Sequence, residues 1–578
     1  MASTSSSSSS KPPPPASSSS NPPPAVGNAD GIAQTCWVKF RDEAIFALYT
    51  PLIVSLASGK LKVETFRHCI AQDVYFLELF ATAFEFAEAY VLDNEAKDGI
   101  KELRKITRKK IQCVAREWRS DLIRDDATPN PATTKCTNFF LAITSGKIDG
   151  IKPSEKTKLA AYILGAITSC IRLNAYIGKE VRELFCEHET NHRYKKWIES
   201  YSSDSFQDFC LQTEKLLDKL SVALTVEELG IIERLYSQGI KQEIEFFLAQ
   251  PVIEKAIVPL SGEHNLEERR LMIFSNFDLT CTCVDSGSTL ADLTIETAPE
   301  SDQIPIENQF ARMTLSALRD NWKVIANKYR DGLEQCIEKL LLATEKAEKL
   351  NYEGLRKALE QVSDFEKEAN LRVIESGVLK GLKLEDIREA GELLELQDGC
   401  MNFFQTIKKK NADVHVISYC WCGYYLIRSV FLTGGIDDLK VHANELEFEE
   451  SLSTGGIMMK VQSPIDKVEA FDKILLESSG EGNDKKKAVS VYIGDAVGDL
   501  LCLLKADVGI VLAPIESLIS VASHFGVKFV PLFTGVVKKQ RECVEVEGAD
   551  SSSTWKGLSG ILYTASSWAE IHAFVFGS

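Results

Sequence analysis

The sequence predicts two modules in series: an all-α helical bundle, then an α/β domain of Rossmannoid type with an inserted helical cap. Three observations predict this. Apolar residues recur at helical spacing from about Thr35 to Gln250. After Arg270, short β-rich apolar runs alternate with helical stretches, as in a parallel sheet flanked by helices. Between the first two of those runs lies a long charged segment of helical period, Ala311 to Asp398, which predicts a cap over the edge of the sheet.

Composition sets the limits. A chain of 578 residues is too long for one core, and 44% hydrophobic with 26% charged residues is ordinary for globular protein. Residues 3–24 are almost wholly Ser and Pro, which bury too little apolar surface to fold. The expected division is a disordered tail over 1–30, the helical domain over 31–250, a linker over 251–268 and the α/β domain over 269–578, with its cap at about 290–400. Net charge is −17 and no basic stripe is present, which argues against nucleic acid as the main partner. The most basic stretch, Lys101 to Arg119, has helical spacing; it reads as a solvated helix face, with guidance of an anionic ligand as the alternative. No run approaches the ~18 apolar residues of a membrane span. The fifteen cysteines fall in no zinc spacing, and reduced thiols in a cytosol-like compartment are expected. A transit peptide would be rich in arginine, yet the first arginine is Arg41. A cytoplasmic location is therefore expected ahead of a mitochondrial one.

In the helical half, three stripes of apolar residues are each interrupted by a residue with chemistry. Asp73 sits among Phe66, Ile70, Leu77, Phe80 and Phe84; Cys170 and Asn174 among Ile163, Ile167 and Ile177; Glu243 among Ile232, Tyr236, Ile240 and Phe247. A lone buried cysteine behaves as a small hydrophobe, and a lone stripe carboxylate can be a structural hydrogen-bonding group. Three such residues on three helices favour a pocket, because an unpaired buried carboxylate needs a partner or shifts its pKa. The chemistry that uses them is thiolate attack with a carboxylic acid protonating the leaving group. Glu245 falls on the opposite face from Phe247, which leaves Glu243 as the candidate.

The segments Phe66-Arg-His-Cys-Ile-Ala-Gln-Asp-Val-Tyr-Phe-Leu, Ser169-Cys-Ile-Arg-Leu, Tyr194-Lys-Lys-Trp-Ile-Glu-Ser-Tyr and Glu243-Ile-Glu-Phe-Phe resemble the TenA (thiaminase II) family. The resemblance implies a helical bundle, often a homo-oligomer, that hydrolyses aminopyrimidines or thiamin. It implies Cys170 as nucleophile, Glu243 as acid, Asp73 holding the pyrimidine and orienting the thiol, and Tyr201 lining the pocket. The family usually has tyrosine where this chain has Cys136 and Asn174. Two aromatic walls are lost there, each worth about 1 kcal/mol or more of stacking and hydrogen bonding.

The α/β half has apolar runs at Leu271–Phe277, Val414–Tyr419, Val489–Ile493, Val508–Leu512 and Val527–Leu532. The first ends in Asn276-Phe-Asp278-Leu-Thr280 and the third is followed by Gly494-Asp495-Ala-Val-Gly-Asp499; Ser418 closes the second, and Lys467 lies between. Asp495 and Asp499, four apart, share one face if a helix opens there, and such a carboxylate pair suits Mg²⁺. Singly, each residue has a bland reading as a turn or a solvated charge; the ordered set does not. The set resembles the haloacid-dehalogenase (HAD) phosphatases. That plan implies an attacking aspartate, an acid–base aspartate at Asp278, phosphoryl grips at Ser418 and Lys467, and Mg²⁺ held by the residues at 276, 278, 495 and 499. Position 276 departs from the plan, because it is asparagine. An uncharged amide is a poor nucleophile toward phosphorus and a weak Mg²⁺ ligand, so turnover should fall by many powers of ten.

Three readings of Asn276 stand: a module that binds without turnover, an engineered trapping variant or sequence error, and residual activity by water attack or deamidation. The order of the two halves resembles the plant fusions that salvage thiamin. This implies small-molecule substrates (aminopyrimidines, thiamin, thiamin monophosphate). The alternative is a divergent relative that binds thiamin intermediates without phosphatase turnover.

Overall fold

The computed structural model describes residues 31–122, 128–148, 156–185, 191–253, 255–262, 269–298, 313–410, 412–478, 487–543 and 555–577. The Ser/Pro tail and residues 263–268 of the expected linker lie outside these.

The described elements of the first module are helices, apart from a bridge residue at Ile148. Its frame is four long helices, Val63–Tyr90, Asn94–Leu122, Lys156–Glu183 and Val226–Leu248. The last begins with a capping box, in which the Thr225 hydroxyl accepts from Glu228 N and the Glu228 carboxylate from Thr225 N. The Lys156–Glu183 helix is the spine, packing against the first and last of these. Within it, Lys158–Glu183 is long and apolar enough by length and composition to cross a membrane, which corrects the sequence reading, and 83% of its most apolar window is buried inside the protein. Packing accounts for that apolarity. Gly239 lets the spine and the 226–248 helix approach closely, since a Cβ there would lie 2.2 Å from Ser169 Oγ.

Among the described residues the second module is built on nine strands: β1 (Arg269–Ser275), β2 (Asp413–Ile417), β3 (Lys440–His442), β4 (Glu445–Glu449), β5 (Leu452–Met458), β6 (Lys487–Gly494), β7 (Val508–Leu512), β8 (Lys528–Pro531) and β9 (Ile561–Ala565). Seven form one parallel sheet in the order β3-β2-β1-β6-β7-β9-β8. The chain winds outward in opposite directions from β1 and β6, so the crevice beyond their carboxyl ends is the natural ligand site. The five apolar runs all became strands. The sequence reading missed β3, β9 and the antiparallel hairpin β4–β5. Glutamates alternating with Leu446 and Phe448 give β4 a charged outer face that conceals the strand.

The cap consists of the helices Leu315–Ala343, Tyr352–Ser376 and Leu384–Leu393. It also recruits the hairpin, since Gly381 N donates to Ser453 O and Leu382 N to Ser453 Oγ, both at 2.8 Å. Its two connections to the sheet pair with each other at Thr282 and Leu396, which ties the cap's base to the loop after β1.

The modules meet through side chains of both. Tyr49 is buried and its hydroxyl donates to Glu570 at 2.8 Å, while its ring meets Phe533 edge-on at 5.4 Å. Tyr49→Phe removes this one charge-assisted bond and keeps the ring. It should lower unfolding stability by about 1–2 kcal/mol, read as a lower urea midpoint by circular dichroism. An unchanged midpoint would show that the contact contributes nothing.

Candidate active sites

In the helical module Asp73, Cys170 and Glu243 arrive on three different helices, as their stripes predict. A cavity opens among these helices, lined by Asp73, Asn174, Tyr201 and Glu243 together with Phe76, Phe206 and Lys110, among others. Tyr201 OH donates to Asp73 Oδ2 at 3.1 Å. Asn174 Nδ2 donates to Glu243 Oε1 at 2.7 Å and to its own helix at Cys170 O at 3.0 Å. The other oxygen, Glu243 Oε2, is buried and has no hydrogen-bond partner among the described residues. Burial pushes the Glu243 carboxyl up to about 8, with Asn174 opposing the shift.

The cysteines stand one layer back. Cys170 and Cys136 are fully buried and neither is on the cavity wall. Cys170 Sγ donates to Gly239 O at 3.5 Å, a contact that the close helix approach at Gly239 permits. Burial, and then the charge of Glu243, hold the Cys170 thiol well above the ordinary thiol pKa. Cys136 is raised for the same two reasons. Glu245 is on the surface, paired with Lys135 at 2.6 Å.

Lys110 escaped the sequence reading, which put its stretch on a solvated face. Its ammonium lies 3.4 Å from the centre of the Tyr201 ring and 4.2 Å from that of Phe206. Burial lowers its pKa to about 8, opposed by the charges of Asp73 and Glu243. The signal was present, because Leu103, Ile106, Thr107 and Lys110 recur at three and four on the inner face of an otherwise charged helix.

The α/β site lies at the crevice between β1 and β6. Asn276 follows β1, Asp495 follows β6 and Ser418 follows β2, while Lys467 projects from the Pro464–Ser478 helix. Lys467 is buried; its ammonium donates to Asp499 Oδ1 at 2.8 Å and to Asn276 Oδ1 at 3.0 Å. The Asn276 amide nitrogen donates to Asp278 O at 2.9 Å, Asp495 Oδ1 at 3.0 Å and Thr280 Oγ1 at 3.1 Å. Asp278 turns away: its carboxylate accepts from Ser286 N at 2.6 Å and Ser418 Oγ at 3.2 Å, and burial raises its pKa. Burial, then Asp499, raise Asp495 to about 6. Leu279, in the same loop, is held at a φ of 59°, a strained backbone for a side chain of its kind and frequent at functional loops.

Of the expected metal ligands, Asp499 is set apart from the others. Residues Val497–Asp499 form a single 3₁₀ turn, so Asp495 and Asp499 share no helix face. Asp499 instead accepts from Lys467, from Tyr492 OH at 2.9 Å and from the backbone N–H groups of Asp495 and Ala496. Asp278 O, Asp495 Oδ1 and Thr280 Oγ1 do surround one point, and their oxygen chemistry suits Mg²⁺. That point holds the Asn276 NH₂ group. An amide has one acceptor oxygen, and Lys467 takes it; turning the amide over would set NH₂ against ammonium and oxygen against carboxylate. With asparagine in place these residues do not fit the ion.

Comparison with known proteins follows the same division. The TENA/THI-4/PQQC family model matches residues 47–251. The chain is 53% identical to the "Bifunctional TH2 protein, mitochondrial" of Arabidopsis thaliana, over 94% of this chain and 88% of that protein. It is 26% identical to the aminopyrimidine aminohydrolase of Helicobacter pylori, over 34% of this chain and 88% of that one. Among solved structures it is similar to a substrate-bound phosphoserine phosphatase at 18% identity, covering 44% of this chain and 90% of that chain with a TM-score of 0.28.

The raised carboxyl of Glu243 predicts a pH dependence for a reaction that draws on its proton. Its carboxyl is protonated below about pH 8, and the proton is lost as the pH rises through that value. Hydrolysis in the helical module should therefore fall on an alkaline limb near pH 8, read from a kcat–pH profile. Glu243→Gln should reduce the rate at all pH values and remove the limb. A limb that persists in the variant would assign it to another group.

Proposed function

The chain belongs to the family of the bifunctional TH2 protein, and from that premise we propose a thiamin-salvage hydrolase whose two halves differ in competence. The helical half cleaves the bond between an aminopyrimidine and its leaving amine, or between the pyrimidine and thiazolium parts of thiamin. The α/β half is a thiamin monophosphate phosphatase by descent, and Asn276 leaves it binding phosphate esters with little turnover. The TH2 and aminopyrimidine aminohydrolase relatives support the first reading. The mitochondrial location in the Arabidopsis relative's name extends to this chain as a proposal, in place of the cytoplasmic expectation.

One observation carries the helical assignment: Glu243 reaches both the cavity and the neighbourhood of the Cys170 thiol, and one of its oxygens is bare. Aromatic walls at Phe76, Tyr201 and Phe206 suit a flat ring, and Asp73, oriented by Tyr201, accepts from the ring's amino group. Cys170 forms the carbon–sulfur bond as the carbon–nitrogen bond breaks. Glu243, neutral at pH 7, gives its proton to the departing amine and takes the thiol's proton, so the carboxyl ends as it began. Water then displaces the sulfur. Because the thiol is behind the wall, Asn174 and Glu243 must shift slightly for the ring to meet it.

Cys170→Ala should abolish ammonia release from 4-amino-5-aminomethyl-2-methylpyrimidine, followed by a coupled ammonia assay. Retained release would show that another group attacks.

For the α/β half, the amide at the cation position supports a silent phosphatase. Wild-type protein should show little Mg²⁺-dependent hydrolysis of thiamin monophosphate and no Mg²⁺-dependent rise in thermal stability. Asn276→Asp should gain both, with the rate rising by about a hundredfold or more. Brisk wild-type hydrolysis, abolished by Asp278→Ala, would overturn this reading.

A further inference from the structure

Two stretches of sequence are absorbed by neither site, Asp364-Phe-Glu-Lys-Glu-Ala-Asn in the cap and Tyr419-Cys-Trp-Cys-Gly, which follows Ser418 after β2. The fold brings them together. Trp421 Nε1 donates to Asn370 Oδ1 at 3.0 Å, which fixes the cap helix Tyr352–Ser376 over the loop that carries Ser418. Glu366 lies one helical turn before Asn370 and so shares its face. It is only 8% exposed, and its Oε1 accepts from Tyr329 OH at 2.9 Å. Among the described residues it has no cation within ion-pair distance. The positive charge that Glu366 feels is Lys467, whose ammonium is already held by Asp499 and Asn276.

Aromatic rings surround this carboxylate on the side of the crevice. Tyr419 lies under the Lys467 ammonium, its ring centre 4.3 Å away, and its hydroxyl is buried with no partner among the described residues. Trp421 stacks on Trp322 at 6.3 Å with an interplanar angle of 24°. Tyr329 is near enough to Asp278 for that carboxylate to raise its pKa. A carboxylate taken from water with no cation beside it is an unanswered charge. Burial accordingly pushes Glu366 up to about 7, so that near neutral pH it is poised to ionise when a cation arrives. A carboxylate bordered by aromatic faces is the chemistry that recognises a flat organic cation.

We propose that Glu366, with Tyr329, Tyr419 and Trp421, forms the leaving-group subsite of the α/β module, and that it selects phosphate monoesters whose alcohol carries a cationic aromatic ring. The phosphate end is gripped by Ser418 and Lys467. The carboxylate on the cap meets the positive ring, which closes the cap over ester and sheet together. This rests on the reading of the α/β half as a phosphate-ester site and adds to it the residue that chooses the ester. Glu366 is a specificity-determining residue and takes no part in the chemistry at phosphorus.

The test is calorimetric titration of the full chain with two probes that share the phosphate and differ in ring charge, thiamin monophosphate and phenyl phosphate. Glu366→Gln keeps an acceptor for Tyr329 and removes only the charge, so folding is preserved. It should weaken thiamin monophosphate by about tenfold or more and phenyl phosphate by less than about twofold. Lys467→Ala, which removes the phosphate grip, identifies any thiamin monophosphate bound in the helical cavity, since that binding survives the change. Equal weakening of both probes by Glu366→Gln, or no weakening of either, overturns the subsite. Failure of both probes to bind wild-type protein in a Lys467-dependent way overturns the phosphate-ester reading itself, and the subsite with it.

Discussion

The buried ammonium of Lys467 governs the α/β module's chemistry, because every polar group around it is oriented by having to answer that charge. Asp499 supplies the opposite charge and is itself held by Tyr492 and two backbone N–H groups. Asn276 must present its oxygen to the ammonium and, in consequence, its nitrogen to Asp495, Thr280 and the carbonyl of Asp278. A buried cation thus decides the direction of an amide, and the amide decides what occupies the centre of the crevice.

The helical module meets the same demand by compromise. Asp73, Glu243 and Lys110 line one cavity, and none is fully satisfied by a direct ion pair among the described residues. Burial raises the two acids and lowers the ammonium, so each is drawn toward its neutral form. That leaves a carboxylic acid with a proton to give at neutral pH, which is what departure of an amine requires. The Lys110 ammonium meanwhile rests on the Tyr201 and Phe206 faces.

Residue order and periodicity carried much of this. The interrupted stripes placed Asp73, Cys170 and Glu243 on three converging helices, and apolar runs followed by polar loops placed Asn276, Ser418 and Asp495 at strand ends. Depth was not legible: nothing in a stripe says that Cys170 and Cys136 stand behind the cavity wall while Asn174 stands on it. Lys110 was hidden by its charged neighbours, because a helix rich in lysine reads as solvated unless its inner face is traced separately. The shared helix face expected for Asp495 and Asp499 did not form, because spacing alone cannot tell a helix face from a 3₁₀ turn, whose side chains bend back onto their own backbone. Glu366 was present in a recognised stretch, but its meaning depends on Tyr329 and on the Trp421–Asn370 contact, which join distant parts of the chain.

A difference of one atom and one charge separates this α/β site from one built for a metal. With asparagine at 276 the site holds three carboxylates, Asp278, Asp495 and Asp499, against the single ammonium of Lys467. An aspartate would make four carboxylates in the same buried volume, and a divalent cation would be the natural means of relieving their repulsion. Asparagine lowers that demand, and its NH₂ lies within hydrogen-bond distance of Asp278 O, Asp495 Oδ1 and Thr280 Oγ1. Asp495, raised to about 6, further reduces the local charge whenever it takes a proton. Asp278 O, Asp495 Oδ1 and Thr280 Oγ1 thus each have a hydrogen-bond partner in the Asn276 amide. An uncharged side chain at 276 is thus held by four hydrogen bonds, three through its nitrogen and one through its oxygen.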